Sequence, residues 1–269
     1  MTNKRISSAL AAIGFLVTTP VADGAELTSF STSLGIAVDE NGTDITPNRF
    51  QDFARFQNSA SLNGQSLDLL VDLRFPEEND ANFDNANDRQ DTGTVGLAGA
   101  GLAFNGLDRN IRDDDAPSER VGPDTRYEDF ILNYRFVESG TDTVVQLDKL
   151  SVGFRDLDLN QRAIGREGLT LANVSSVVVD SAGVVDVNQI PAAMSGVSPS
   201  GSAVQLIPQS NNNDVRVNLF DVGAFDVRFF NRTGGNNPVS GGFNVVGGSA
   251  IDVGDNPSIT QVPAPMTSV

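Results

Sequence analysis

The segment Ser66-Leu67-Asp68-Leu69-Leu70-Val71-Asp72-Leu73-Arg74-Phe75 alternates, with Leu67, Leu69, Val71, Leu73 and Phe75 on one side and Ser66, Asp68, Asp72 and Arg74 on the other. Successive side chains of an extended chain point to opposite faces, so this pattern specifies a strand with one face buried and one wet. The pattern recurs in Phe130, Leu132, Tyr134 and Phe136 against Asp129, Asn133 and Arg135, and in Leu150, Val152 and Phe154 against Ser151, Gly153 and Arg155. Further strands are expected at Leu169 to Val179, Val215 to Leu219, Phe225 to Phe229 and Phe243 to Val246. Turn chemistry separates them at Asn41-Gly42, Asn63-Gly64, Asn105-Gly106, Ser139-Gly140, Ala182-Gly183 and Thr233-Gly234-Gly235-Asn236. Many short strands joined by such turns predict an all-β chain, an antiparallel β-sandwich of jelly-roll type with long acidic loops.

Few segments break the two-residue period. Phe50, Phe53 and Phe56 recur at three-residue intervals, which allows a short helix over Arg49 to Gln57, although Phe is equally at home in a strand. Pro76 to Thr94 and Asp108 to Thr125 are crowded with Asp, Asn and Arg and read as loops, either solvated or functional. Gln189 to Ser202, rich in Pro, Ser, Gly and Ala, reads as a linker or long crossover. A boundary there would leave a small second unit, so one continuous domain over 26–261 is expected, followed by a Pro-containing disordered tail over 262–269.

At the start of the chain, Lys4 and Arg5 precede an apolar run through Leu10, Ile13, Phe15, Leu16 and Val17, with small residues at Ala22, Gly24 and Ala25. This is the build of a cleaved signal peptide over 1–25, cut between 22 and 25, and the run falls short of the roughly 20 residues a spanning helix needs. The expected location is extracellular or at the cell surface, with no membrane span left after cleavage. The net charge is −17, and losing residues 1–25 makes it one unit more negative. Nucleic acid is thereby excluded as a partner, since its binding requires Lys and Arg to neutralise phosphates. Cysteine is absent, so no disulfide staples the exported chain. The acidity suits either cation ligation or a salty medium.

Histidine is absent as well. Without His and Cys there is no Ser-His-Asp triad, no Cys-His pair and no thiolate or imidazole zinc site. Two carboxylates would suffice for a glycosidase or lyase, but no pair stands in a recognisable catalytic setting, and Trp, the usual sugar platform, is missing. No enzyme is expected. The sharpest ligand pattern runs from Asp156 to Glu167: Asp156, Asp158 and Asn160 occupy positions 1, 3 and 5 of a calcium loop and Glu167 position 12. Arg162, at position 7, supplies a backbone carbonyl. The ligand spacing resembles that of an EF-hand loop, but Gln161 stands where that loop has glycine and the flanks read as strands, so a solvated turn is the competing reading. Asp80, Asn82, Asp84, Asn85, Asp88 and Asp91 form a second set of suitable oxygens, and Asp113, Asp114 and Asp115 a run of like charge. The Gly-rich pieces at 96–106 and 234–248 lack phosphate-loop spacing and read as tight strands and turns.

Val262-Pro263-Ala264-Pro265-Met266-Thr267 resembles the start of the sorting tail of PEP-CTERM proteins, bacterial exported proteins handled by exosortase. In that family a hydrophobic helix and a basic end follow, and neither is present in this sequence before Val269. The resemblance implies a secreted or surface role, commonly beside an exopolysaccharide matrix. The expectation is therefore a secreted, acidic, calcium-binding structural or adhesive protein of the surface or matrix, with Ca²⁺, extracellular polysaccharide or self-association as partners. A calcium-assisted, lectin-like carbohydrate-binding module is the alternative, and a carboxylate-only hydrolase or lyase the third reading.

Overall fold

A computed structural model describes residues 25–31, 37–38, 41–43, 53–74, 94–98, 101–107, 125–157, 167–190, 197, 203–234 and 239–263. They form sixteen strands: β1 (Glu26–Leu27), β2 (Ala37–Val38), β3 (Phe53–Leu62), β4 (Gln65–Arg74), β5 (Thr94–Ala98), β6 (Gly101–Leu107), β7 (Thr125–Glu138) and β8 (Leu147–Leu157) come first. Then follow β9 (Glu167–Leu171), β10 (Val174–Val179), β11 (Val185–Ile190), β12 (Ala203–Pro208), β13 (Asn213–Val222), β14 (Ala224–Gly234), β15 (Val239–Gly247) and β16 (Ser258–Gln261). Sheet I has the order β16-β10-β13-β8-β15-β6-β5, with β1 also on β8, and sheet II the order β11-β12-β9-β14-β7-β4-β3-β2. All pairs are antiparallel except β1 with β8.

The two sheets share one apolar core. Sheet II contributes Leu67, Leu69 and Val71 of β4, Leu132, Tyr134 and Phe136 of β7, and Phe225, Val227 and Phe229 of β14. Sheet I answers with Leu150, Val152 and Phe154 of β8, Val215, Val217 and Leu219 of β13, and Phe243 and Val245 of β15. Tyr134 stacks on Phe225 and Phe229 on Phe243, with ring centroids 5.0 and 5.7 Å apart. The chain is thus an antiparallel β-sandwich, as the alternation predicts. A jelly roll has eight strands in all, whereas each layer here has eight, and this order does not establish that form.

Other expectations need correction. Phe53, Ala54, Arg55, Phe56 and Gln57 lie in β3 rather than in a helix, because pairing with β4 buries Ala54 and Phe56 on one face and sends Phe53 to the other. Leu169 to Val179 is two strands in different sheets, broken at Ala172-Asn173, where Asn173 takes a left-handed conformation (φ 54°). Asn105-Gly106 is not a turn but lies within β6, where three steps oppose two on β15. Asn63-Gly64 does form the β3–β4 hairpin, with φ of 52° and 81° as a primed turn requires. Thr94 and Thr125, placed in loops from the sequence, begin β5 and β7.

Over Leu150 to Phe154, β8 is buried on both faces. Gly153 lies beneath Ile251 and Ser151 beneath Gly248, so the segment after β15 folds across the outer side of sheet I. β1 and β15 sit end to end on the same edge of β8: Glu26 and Leu27 pair with Lys149 and Leu150, and Val246 and Gly247 with Gly153 and Val152. Ala25 is buried, and its carbonyl accepts hydrogen bonds from the backbone N–H groups of Asp148 and Lys149. The backbone at 28–30 passes so close over Gly247 that a Cβ there would overlap Phe30 N and Ser29 Cα. The colliding atoms are main chain and cannot rotate away. Gly247→Ala is therefore expected to cost roughly 2–3 kcal/mol, at the upper end of overpacking effects. Urea denaturation measures this, and an unchanged midpoint would refute the close approach.

Candidate functional site

Two regions carry polar chemistry. The first is one pole of the sandwich, where β4, β6, β8, β10, β12 and β14 end and β5, β7, β9, β11, β13 and β15 begin. The connections over 75–93 and 108–124, with six acidic residues each, start and finish at this pole, as does 158–166. Asn213, fully buried, ties it together: its amide donates to the carbonyls of Leu157 (2.8 Å) and Ser210 (2.6 Å), and its oxygen accepts from Val184 N–H (2.8 Å).

Of the calcium-loop residues, Asp156 lies near the end of β8, exposed and left-handed (φ 64°), at a bulge where β8 has one residue more than β13. Its N–H donates to Asp214 Oδ1 at 3.4 Å, and Arg155 Nε lies 3.9 Å from the same carboxylate. Glu167 opens β9 opposite Asn231. Asp158, Asn160 and Arg162 lie outside the described residues, as do Asp80 to Asp91 and Asp113 to Asp115. Among the described residues, no three His, Cys, Asp or Glu side chains come together as a metal-holding group.

The second region is the outer face of sheet II, which the alternation marks only as wet. Asp68 points there, yet only 2% of it is exposed. Its Oδ1 accepts from Asn58 N–H (2.9 Å), and its Oδ2 from Arg55 Nε (2.9 Å) and Gly140 N–H (3.1 Å). Asn58 is left-handed (φ 53°) at a bulge in β3, and Gly140 (φ 77°) stands in the turn after β7, so one carboxylate fixes three elements. Burial alone would raise the Asp68 pKa; the hydrogen bonds from Asn58, Arg55, Gly140 and Ser139 outweigh it and hold the carboxyl below its ordinary value of 3.8. Arg55 goes on to Asp142 (3.0 Å) and to the Thr141 carbonyl.

Beside this hub a cleft of about 610 Å³ is lined by Val38, Phe53, Arg55, Gln57, Leu70, Arg135 and Val144. Arg135 of β7 pairs with Asp72 of β4 at 2.6 Å, and on the other side of β7 Asn133 donates to the buried Asp226 of β14 at 2.7 Å. Asp68, ionised and saturated with donors, is no proton donor near neutrality. The cleft is lined by the apolar Leu70 and Phe53 and by Arg55 and Arg135, each guanidinium already paired with a carboxylate. No local pattern marks this hub, because Gly140, in the turn that covers Asp68, is 72 residues away in the chain.

Comparison with protein-family models, with curated proteins and with solved structures found no match for this chain. The functional reading therefore rests on these residues.

Because folding lowers the Asp68 pKa, its contribution to stability is complete above 3.8 and is lost as pH falls through the lower folded value. Asp68→Ala is expected to cost roughly 3 kcal/mol at pH 7, as removal of one partner of a buried pair does, and to flatten the acid limb of the stability curve. Denaturation from pH 7 to pH 2 checks both. An unaltered acid limb would show that Asp68 is not the group being titrated.

Proposed function

We propose that this chain is an exported structural or adhesive β-sandwich of the cell surface or extracellular matrix, which takes up Ca²⁺ at its acidic pole through Asp156, Asp158, Asn160, Glu167 and the Arg162 carbonyl. The observation that supports this most is the topology: the strands deliver the ends of the acidic connections to one pole. Carboxylates that converge repel one another, and a hard cation with oxygen ligands offsets that repulsion. The test is a thermal melt in EDTA and then in Ca²⁺ at fixed ionic strength. At about 100 times the dissociation constant, Ca²⁺ should add roughly 2.7 kcal/mol, with the gain lost in the Asp156→Ala, Asp158→Ala double variant. An equal shift with plain salt would instead assign the acidity to adaptation to a saline medium.

The cleft beside Asp68 supports a second reading, a carbohydrate-binding module, since Arg135 and Gln57 offer donors beside the apolar Phe53 and Leu70. A glycan array with and without Ca²⁺ separates the two, because a purely structural protein needs no discrete sugar preference.

Export has its own check. The Ala25 carbonyl holds two N–H groups of β8, so processing is expected after Ala22 or Gly24, leaving Ala25 in the fold. N-terminal sequencing of the secreted protein should begin at Asp23 or Ala25; a start at Glu26 would contradict the pairing at Ala25.

A further inference from the structure

Among the described residues, four strands end the two sheets, and three are guarded as edges usually are. β2 has two residues, β5 has five including Gly96, and β16 has four, set between Pro257 and Pro263. β11 is different: Val185-Asp186-Val187-Asn188-Gln189-Ile190 is six residues long, holds no Pro, Gly or Lys, and among the described residues pairs only with β12. Its Val185 and Val187 pack partly against the core and carry its apolar face to the rim. The turn 180–184 joins β11 to β10, the neighbour of β16, so the free edges of both sheets lie on one side of the sandwich. Among the described residues the exposed large apolar side chains are Val144, Val184 (54%) and Ile259 (58%). Val184 immediately precedes β11 and Ile259 lies on β16, so two of the three sit on that side.

We propose that this side pairs with a second copy of the chain, β11 against β11 in antiparallel register, with Val187 on the two-fold axis. The partner is specified by self-complementarity. A two-fold axis perpendicular to an antiparallel pair must pass between a residue and its own copy, because hydrogen-bonded and non-hydrogen-bonded pairs alternate along the ladder. An axis at Asp186 would set two carboxylates face to face, and one at Asn188 would set Val187 against Gln189 and Asp186 against Ile190. With the axis at Val187, valine meets valine on the core face, Val185 meets Gln189, and Asp186 meets Asn188 on the outer face, a hydrogen-bonding pair without like charges. Sheet II then continues from one copy into the next. This association needs no Ca²⁺ and goes beyond the proposed calcium reading. Each copy carries −17, so the pairing strengthens with salt.

Sedimentation velocity of the purified chain in EDTA tests it. The expected result is a reversible monomer–dimer equilibrium that tightens between low and moderate salt. Asn188→Asp, at an exposed position, sets two like-charge pairs across the interface and should weaken dimerisation about tenfold. The exchanged variant Asp186→Asn, Asn188→Asp restores the alternation at unchanged composition and should return to within about threefold of the original. Since the chain has no cysteine, Val187→Cys adds a lone thiol whose copy lies roughly 4.5–5.5 Å away between Cα atoms, within disulfide reach. It should crosslink under mild oxidation far faster than the exposed control Ser181→Cys. A chain that stays monomeric at all concentrations and salts, equal behaviour of the single and exchanged variants, or equal crosslinking at 187 and 181 would overturn the proposal.

Discussion

Two eight-stranded sheets without a disulfide are held face to face by apolar packing, and that packing converges on β8. β8 lies between β13 and β15 in sheet I, sends Leu150, Val152 and Phe154 into the core, and is covered from outside by Ile251 and Gly248. A strand buried on both faces cannot carry bulk on both. Gly153 and Ser151 are the small residues that let the outer cover approach, and Gly247 does the same for the N-terminal segment. The edge of β8 shared by β1 and β15 makes the two ends of the described chain mutually dependent, since Gly247 N–H donates to the Phe30 carbonyl.

The strands were legible wherever one face is buried and the other wet, because that asymmetry writes a two-residue period into Ser66 to Arg74 or Phe130 to Phe136. Where both faces are covered the period weakens: at β8 the alternation marks the outward residues as wet, yet Ser151 and Gly153 are buried. The phenylalanines near β3 mislead for a different reason. A spacing of three suits a helix, but cross-strand partners on β4 decide, and no local pattern reveals them. Asp68 and Asp72 look alike in sequence, on the same face of β4 four positions apart. Only the distant turn at Gly140 distinguishes a buried hub from a half-exposed ion pair.

The abundance of short polar side chains has a second cause beside charge. Every non-glycine residue at positive φ among the described ones is Asn or Asp: Asn58, Asn63, Asp156, Asn173, Asn212 and Asp221. These side chains tolerate the left-handed region better than others, so bulges and turns draw on the same residue types as cation ligation. Asp156 belongs to both accounts. Its place at a bulge explains its presence at the end of β8 without a ligand, while leaving its carboxylate exposed beside the connection to β9.

From β6 to β11 the chain changes layer at every step, entering sheet II at β7, β9 and β11 and returning to sheet I at β8 and β10. Neighbours in sequence are therefore rarely neighbours in a sheet, and neither layer can be completed before the other. Such a topology closes long loops before its contacts reward them, which slows assembly. β13, β14 and β15 each enter between two strands laid down earlier, β13 between β10 and β8, β14 between β9 and β7, and β15 between β8 and β6, so both layers close only when the late part of the chain arrives.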